Sequence, residues 1–355
     1  MHDAIRVLVL GTGQMGSGVA RLVLDKPGLE LVGGYGRRRE RAGTDLGSAI
    51  GIDRDLGIRL GASLELEIER SRPHVAIQTT CSRLADALPE ISTLVRNRVH
   101  VVSIAEEMAY PAAQSAAAAT EINRLAVEHG VGVLGTGINP GFVLDLLVIV
   151  LTGVCSDVRS IVATRVNDLS PYGPSVLASQ GVGLTPAAFS KGLEDGTVVG
   201  HFGFPQSIGM IAAALGWEID HVEQRREPIL SAVRRTTPFV VVEPGQVAGC
   251  LHTAVGYGAG RALITLVHPQ QIHPHLEGVQ TGDTIEITGS PNVRLAGSPE
   301  IPGGHGMIAL AVNMIPRVLS APPGLHSMAD LPVPAAMLAD VRRFVRALPP
   351  ESARG

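Results

Sequence analysis

The chain has 355 residues, 45% of them hydrophobic and 17% charged, a composition that excludes a disordered chain and is long enough to bury the cores of two domains. A net charge of −4 excludes a general attraction to nucleic acid or anionic lipid, so the expected partner is a small molecule, with no nucleic acid and no membrane. Cys81, Cys155 and Cys250 lie far apart with no Cys-x-x-Cys pair, which supports neither a zinc ribbon nor a disulfide scaffold.

These cysteines suit a reducing compartment, and the first strand begins within a few residues of Met1, leaving no room for a secretory leader. The apolar stretch 142–154 is interrupted by Asp145 and is too short to cross a bilayer, so a cytoplasmic location is expected.

Residues 5–16 read IRVLVLGTGQMG. Val7, Leu8, Val9 and Leu10 suit a strand buried on both faces, and Gly11, Gly13 and Gly16 follow at G-x-G-x-x-G spacing. Gly11 permits a tight turn, Gly13 lets a pyrophosphate approach the backbone, and Gly16 lets the following helix, 17–24, pack close to the sheet. With Thr12, Gln14 and Met15 they form the expected dinucleotide cradle, at a helix N-terminus whose N–H groups favour an anion. A purely structural turn is the alternative, and a second strand at 29–35 favours the nucleotide site.

An acid at the end of that second strand would bind the adenosine ribose of NAD. Gly36, Arg37, Arg38 and Arg39 stand there instead, and guanidinium forks at Arg37 and Arg38 suit a 2′-phosphate. NADP is therefore the preferred cofactor, with NAD as the second choice.

Strands at 73–80, 100–105 and 131–134 alternate with helices at 84–95 and 112–129, which predicts a Rossmann-type doubly wound parallel sheet over residues 1–140. Ligands in such sheets bind beyond the carboxyl ends of the strands, which brings Thr79, Thr80, Glu106, Glu107 and the loop 135–141 into the candidate site. A partly desolvated carboxylate after strand 100–105 would exchange a proton or hold an ammonium group, whereas two solvated acids would only favour the next helix N-terminus. The residues leave both open. Asn139 could bond a nicotinamide or a substrate, or form an Asx turn before a helix starting near Phe142.

Beyond residue 155 the alternation becomes irregular. Strands at 158–165, 239–243, 262–268 and 283–288, separated by proline and glycine turns, predict an α+β domain of mostly antiparallel sheet over 141–312. Residues 300–316 read as a glycine turn into a helix returning to the first domain, 313–355 as a C-terminal segment, and 348–355 as a mobile tail. His268, His273 and His275 match no zinc spacing, and no metal is expected. His201 is flanked by Gly200 and Gly203, which suits either close approach to a ligand or a satisfied structural histidine.

Gly11-Thr12-Gly13-Gln14-Met15-Gly16, Ile104-Ala105-Glu106-Glu107-Met108-Ala109-Tyr110-Pro111 and Gly135-Thr136-Gly137-Ile138-Asn139-Pro140-Gly141-Phe142 together resemble the 2,4-diaminopentanoate dehydrogenase family, which includes native amine dehydrogenases. The likeness continues through 165–171, 180–183, 244–249, 282–287 and 330–332, nearly the whole chain. It implies an NAD(P)-dependent oxidoreductase that deaminates a primary amine, or in reverse reductively aminates a small ketone or aldehyde with ammonia through an iminium. It also implies an essential carboxylate, placed on Glu106 with Glu107 as second choice, and a homodimer built on the second-domain sheet. Tyr172, Val143 and the apolar character around Phe142 and Met210 would suit a short aliphatic ketone, and His201 is a separate candidate for the substrate. No carboxylate-binding group for 2,4-diaminopentanoate itself is evident. A reductase of the dihydrodipicolinate or homoserine type is the nearest enzyme alternative, and an NADP-binding redox sensor is the alternative from another class. The glutamate pair discriminates, since a sensor has no need of a carboxylate at the nicotinamide.

Overall fold

A computed structural model of the chain describes residues 4–345. The chain begins with β1 (Ile5–Leu10), α1 (Gln14–Asp25), β2 (Leu29–Tyr35), α2 (Leu46–Ala49), α3 (Leu64–Ser71), β3 (Val75–Gln78), α4 (Leu84–Arg96), β4 (His100–Ser103), α5 (Ala116–His129) and β5 (Gly132–Gly135). Next come α6 (Leu146–Thr152), β6 (Asp157–Asp168), α7 (Pro174–Ser179), α8 (Pro186–Glu194) and α9 (Phe204–Leu215). A run of strands follows, β7 (His221–Leu230), β8 (Arg235–Thr236), β9 (Val241–Val242), β10 (Val247–Gly258), β11 (Arg261–Gln271), β12 (Gly282–Ser290) and β13 (Val293–Gly297). The described chain closes with α10 (Gly303–Asn313), α11 (Ile315–Leu319) and β14 (Gly324–His326). It forms two compact units, one made of residues up to Phe142 and from Pro302 on, the other Val143–Ile301.

In the first unit the strands form a parallel sheet of order β14-β5-β4-β3-β1-β2. Every residue of β3, β4 and β5 is buried, as expected of strands covered on both faces. Leu8, Ala76, Ile91, Leu94, Val101 and Ile122 share one core, into which Met108 also packs. Helix α10 belongs here because it lies on α1: a Cβ added to Gly18 would fall 2.2 Å from Ile308 Cδ1. The C-terminal return thus starts at Pro302, ahead of the expected 313, because α10 packs on α1 in this unit. Residues 348–355, read as a tail, lie outside the described residues.

The second unit carries a mixed, mostly antiparallel sheet of order β13-β12-β6-β11-β10-β7, in which only the β6–β11 pairing is parallel among the described strands. The expected strand at 239–243 shrinks to β9, in a two-stranded ribbon with β8, and Phe239 is left exposed. Strands β7, β10 and β13 lacked a sequence signal. Strand β7 is an edge strand, rich in exposed charge, and β10 owes its place to tertiary packing: a Cβ on Gly249 would meet Gln270 O at 1.8 Å. The helix expected near Phe142 begins at Leu146, where Asp145 accepts from the Leu146 N–H at 2.7 Å and from Ser207 Oγ at 2.8 Å. No helix among the described residues is long and apolar enough to cross a membrane.

One glycine positions the region of interest. At the end of β5, a Cβ on Gly135 would fall 1.7 Å from Met108 O, so the 3₁₀ turn Glu106–Ala109 can lie against the sheet only if residue 135 has no side chain. Gly135→Ala is expected to lower the stability of the protein by about 1–3 kcal/mol, the usual cost of forcing a methyl into packed structure, as read from the urea midpoint.

Candidate active site

Strand β1 delivers the chain into a left-handed turn at Gly11, φ +103°, whose N–H donates to Tyr35 O at 2.8 Å. Thr79 seals the floor, its N–H and Oγ1 both donating to Leu10 O at 2.9 and 2.6 Å. A Cβ at Gly16 would sit 2.1 Å from Gly11 O, so α1 starts directly on the turn. Gly13 serves as the N-cap of α1 with no side-chain bond, and the space where its Cβ would project is open for 4 Å. Uncapped N–H groups, a helix dipole and an open approach form an anion cradle, and these residues fit a dinucleotide pyrophosphate.

That cradle opens into a cavity of about 240 Å³ lined by Gly11, Thr12, Gly13, Thr79 and Thr80 together with Gly36, Arg37, Arg38, Arg41 and Leu60. The two remaining motif residues point elsewhere: Gln14 is exposed, and Met15 Cε lies where a Gly304 Cβ would meet it at 3.4 Å. The arginines divide. Arg37 Nε donates to Glu90 at 2.7 Å and its Nη2 to Asp86 O at 2.8 Å, and Glu90 also accepts from Thr80 Oγ1. This ion pair raises the Arg37 pKa and commits its guanidinium to α4. Arg38 is exposed at the cavity mouth. Arg41, absent from the sequence-derived set, reaches back over the glycine turn, with Nη1 on Thr12 Oγ1 at 2.8 Å and Nη2 on Ala49 O at 3.0 Å. Its place in the run Arg37-Arg38-Arg39-Glu40-Arg41 was the available signal.

Beyond β4, the two adjacent glutamates take different positions. Glu107 Oε accepts the N–H of Leu84 at 2.7 Å and so caps α4, whose own N-cap residue, Arg83, makes no side-chain bond. Glu106 has no such duty. Burial pushes its carboxyl above the usual carboxylate range; hydrogen bonds from its own backbone and from the Ser82 side chain pull the other way, and the Glu107 charge adds to the rise. Glu106 is thus a carboxyl of raised proton affinity, suited to exchanging a proton. Asn139 is buried, with a cis peptide to Pro140, in the turn after β5, and Phe142 ends this unit partly exposed.

In the Val143–Ile301 unit, Val143 is wholly buried and serves packing. Tyr172 packs against the cluster of Leu169, Leu177 and Val242, and burial raises its phenol pKa. Arg165, itself buried, is paired with Asp283 at 2.7 Å. His201 sits in a histidine cluster, 4.8 Å between ring centroids from both His268 and Phe204. Its N–H donates to His252 Nδ1 at 3.0 Å, and the close approach of Gly200 is to that same His252 nitrogen. Burial drives all three imidazoles neutral, His252 down to about 3 with help from the Arg226 charge. His201 Nε2 is buried with no hydrogen-bond partner among the described residues, so a ligand there would gain a bond at no competing cost. His252 and His268 face each other across β10 and β11, a register invisible in sequence.

A family model described as the 2,4-diaminopentanoate dehydrogenase C-terminal domain matches residues 142–347, and one for the dihydrodipicolinate reductase N-terminus matches residues 5–104. A 2,4-diaminopentanoate dehydrogenase of Acetoanaerobium sticklandii is 46% identical over 97% of this chain and 98% of its own. The chain belongs to the 2,4-diaminopentanoate dehydrogenase family. An amine dehydrogenase of Streptomyces virginiae is 24% identical over 94% of this chain and 98% of its own. The structure of an amine dehydrogenase from Mycobacterium smegmatis superposes with a TM-score of 0.83 at 25% identity, covering 94% of this chain and 98% of that one. As a member of this family the chain is an NAD(P)-dependent oxidoreductase acting on amines, with a small-molecule substrate. The match to the dihydrodipicolinate reductase N-terminus lies within residues 5–104, in the first unit.

The family member's two glutamates are separable by experiment. Glu107→Ala is expected to cost about 1 kcal/mol of stability through the lost cap on α4 while NADPH binding persists, as read by chemical denaturation and fluorescence titration.

Proposed function

We propose that the chain catalyses oxidative deamination of a primary amine of the 2,4-diaminopentanoate class, and in reverse reductive amination of the corresponding ketone with ammonia, with NADP(H) preferred over NAD(H). The observation that carries this reading is the Glu106 carboxyl, desolvated and raised in proton affinity at the end of β4. The substrate class rests on the likeness to the Acetoanaerobium sticklandii protein. Arg165, committed to Asp283, offers no free guanidinium for a substrate carboxylate. A sensor that turned nothing over would have no use for a costly buried carboxyl.

The uncapped start of α1 and the Gly11–Gly16 turn would hold the pyrophosphate, and Arg38 and Arg41 would meet the 2′-phosphate. The nicotinamide, when bound, supplies hydride acceptance at C4. Glu106 as carboxylate takes a proton from the substrate ammonium, and the freed lone pair forms the C=N bond of the iminium as hydride leaves the carbon. Once Glu106 has released that proton to solvent, water adds to the carbon, Glu106 takes a proton from the oxygen and returns it to nitrogen, and the C–N bond breaks as the remaining hydroxyl proton leaves to water, giving ammonia and the ketone. Within the second unit, His201 Nε2, neutral and buried, is offered in our reading as a group that can bond a polar ligand atom. A homodimer built on the second-unit sheet is also proposed, on the family likeness; light scattering at twice the chain mass is the expected result.

Glu106→Gln is expected to lower kcat about 10²–10⁴-fold with NADPH binding intact. Unchanged ammonia-dependent turnover would sink the mechanism. Deamination needs the ionised carboxylate, so kcat/KM should rise with pH through a value above the ordinary carboxylate range. The folded state binds this proton more tightly than the unfolded chain does. Its stability is therefore greatest below the unfolded pKa and falls as pH rises toward the folded one, a fall that Glu106→Gln should abolish.

For the cofactor, Arg41→Ala is expected to weaken NADPH binding about 10–100-fold more than NADH binding, the worth of a charge-assisted contact, whereas Arg37→Ala should affect both alike. Equal losses with Arg41→Ala would return that residue to a structural role.

A further inference from the structure

In the second unit, three side chains that the amine chemistry does not use converge at one end of the sheet. Asp168 closes β6, and His273 and His275 lie in the turn after β11; one ligand atom from each falls within 4.8 Å of the others. The histidine rings stand edge to face, 5.7 Å apart at 81°. Their sequence spacing argued against a metal, because the third partner comes from a strand more than a hundred residues earlier.

The His273 ring is held in an orientation suited to a cation. His273 Nε2 lies 2.8 Å from Thr236 O, and a carbonyl can only accept, so the proton is on Nε2 and the lone pair on Nδ1. Metal-binding imidazoles are commonly oriented in this way, by donating the far N–H to a carbonyl. Asp168 is fixed through Oδ1, which accepts from Ser170 N at 2.8 Å and His273 N at 3.1 Å, while Oδ2 has no hydrogen bond among the described residues. Beside the cluster lies an open groove lined by Asp168, His275, Gln280, Thr281 and Glu300, with no lysine or arginine in its lining. The Arg235 guanidinium has Nη1 3.4 Å from His273 O, and its charge is met by an ion pair with Glu277.

We propose that Asp168, His273 and His275 bind one divalent transition-metal ion, with Glu300 or water completing the coordination from the groove. Two imidazole nitrogens and a carboxylate oxygen select Zn2+ or Ni2+ over Mg2+ or Ca2+, which prefer all-oxygen sites. The ion would tie the end of β6 to the turn after β11 and so brace the segment leading into Tyr172, whose N–H is bonded to Leu169 O.

The test uses the tag-free full chain, stripped with chelator and titrated calorimetrically with zinc chloride or nickel chloride, with metal content measured after desalting. One ion per chain is expected, with a rise in melting temperature and no comparable effect of magnesium. His275→Ala, at an exposed position, should weaken binding at least about tenfold, and so should Asp168→Asn, which keeps the oxygen that anchors Ser170. Retained NADPH binding shows that each variant is folded. Binding of less than one ion, or an affinity unchanged in both variants, overturns the proposal and assigns any bound metal to other histidines.

Discussion

At the carboxyl edge of the parallel sheet the backbone approaches itself more closely than any Cβ would permit, and the candidate site depends on it. The Gly11 carbonyl lies against Gly16, which lets α1 begin directly on the turn and aim its free N–H groups into the cavity. The Met108 carbonyl lies against Gly135, which seats the Glu106–Ala109 turn on the sheet. Gly11, Gly16, Met108 and Gly135 thus set the positions of an anion cradle after β1 and a proton carrier after β4, with β3 between those strands.

The adjacent glutamates show how one sequence feature can carry two physical roles. A carboxylate at the start of α4 is stabilised by the helix dipole and a backbone N–H, and Glu107 occupies that position. With this demand met by one residue, its neighbour is left in a place where ionisation is unfavourable. The protein gives up stability at Glu106 and offsets it through the buried sheet beneath. The Arg37–Glu90 pair is a similar division of labour: it fastens the loop after β2 to α4, leaving Arg38 and Arg41 for the cavity.

The second unit organises polarity through its interior. Neutral histidines from α9's approach, β10 and β11 pack edge-on or tilted around Phe204, and the Arg165–Asp283 pair is almost fully enclosed. Such groups are costly to bury unless each is paired. His201 Nε2 is the exception among these rings, which is why it draws the ligand proposal.

The sequence by itself determined the parallel half of the fold, because period, glycine spacing and turn residues act locally. Strand β2 spans the expected residues 29–35, and Gly11 and Gly16 carry their turn and close-approach roles in their own identity. The family likeness was equally legible, since its motifs are contiguous. Tertiary structure alone decided which of two adjacent glutamates is desolvated, which of four nearby arginines overhangs the glycine turn, and that Val143 is core. It also decided β7 and β10, whose charges and glycines contradict strand propensity until a neighbour is supplied, and the meeting of Asp168 with His273 and His275. Burial and charge depend on what lies opposite in space, and register across strands distant in sequence leaves no trace in either strand alone.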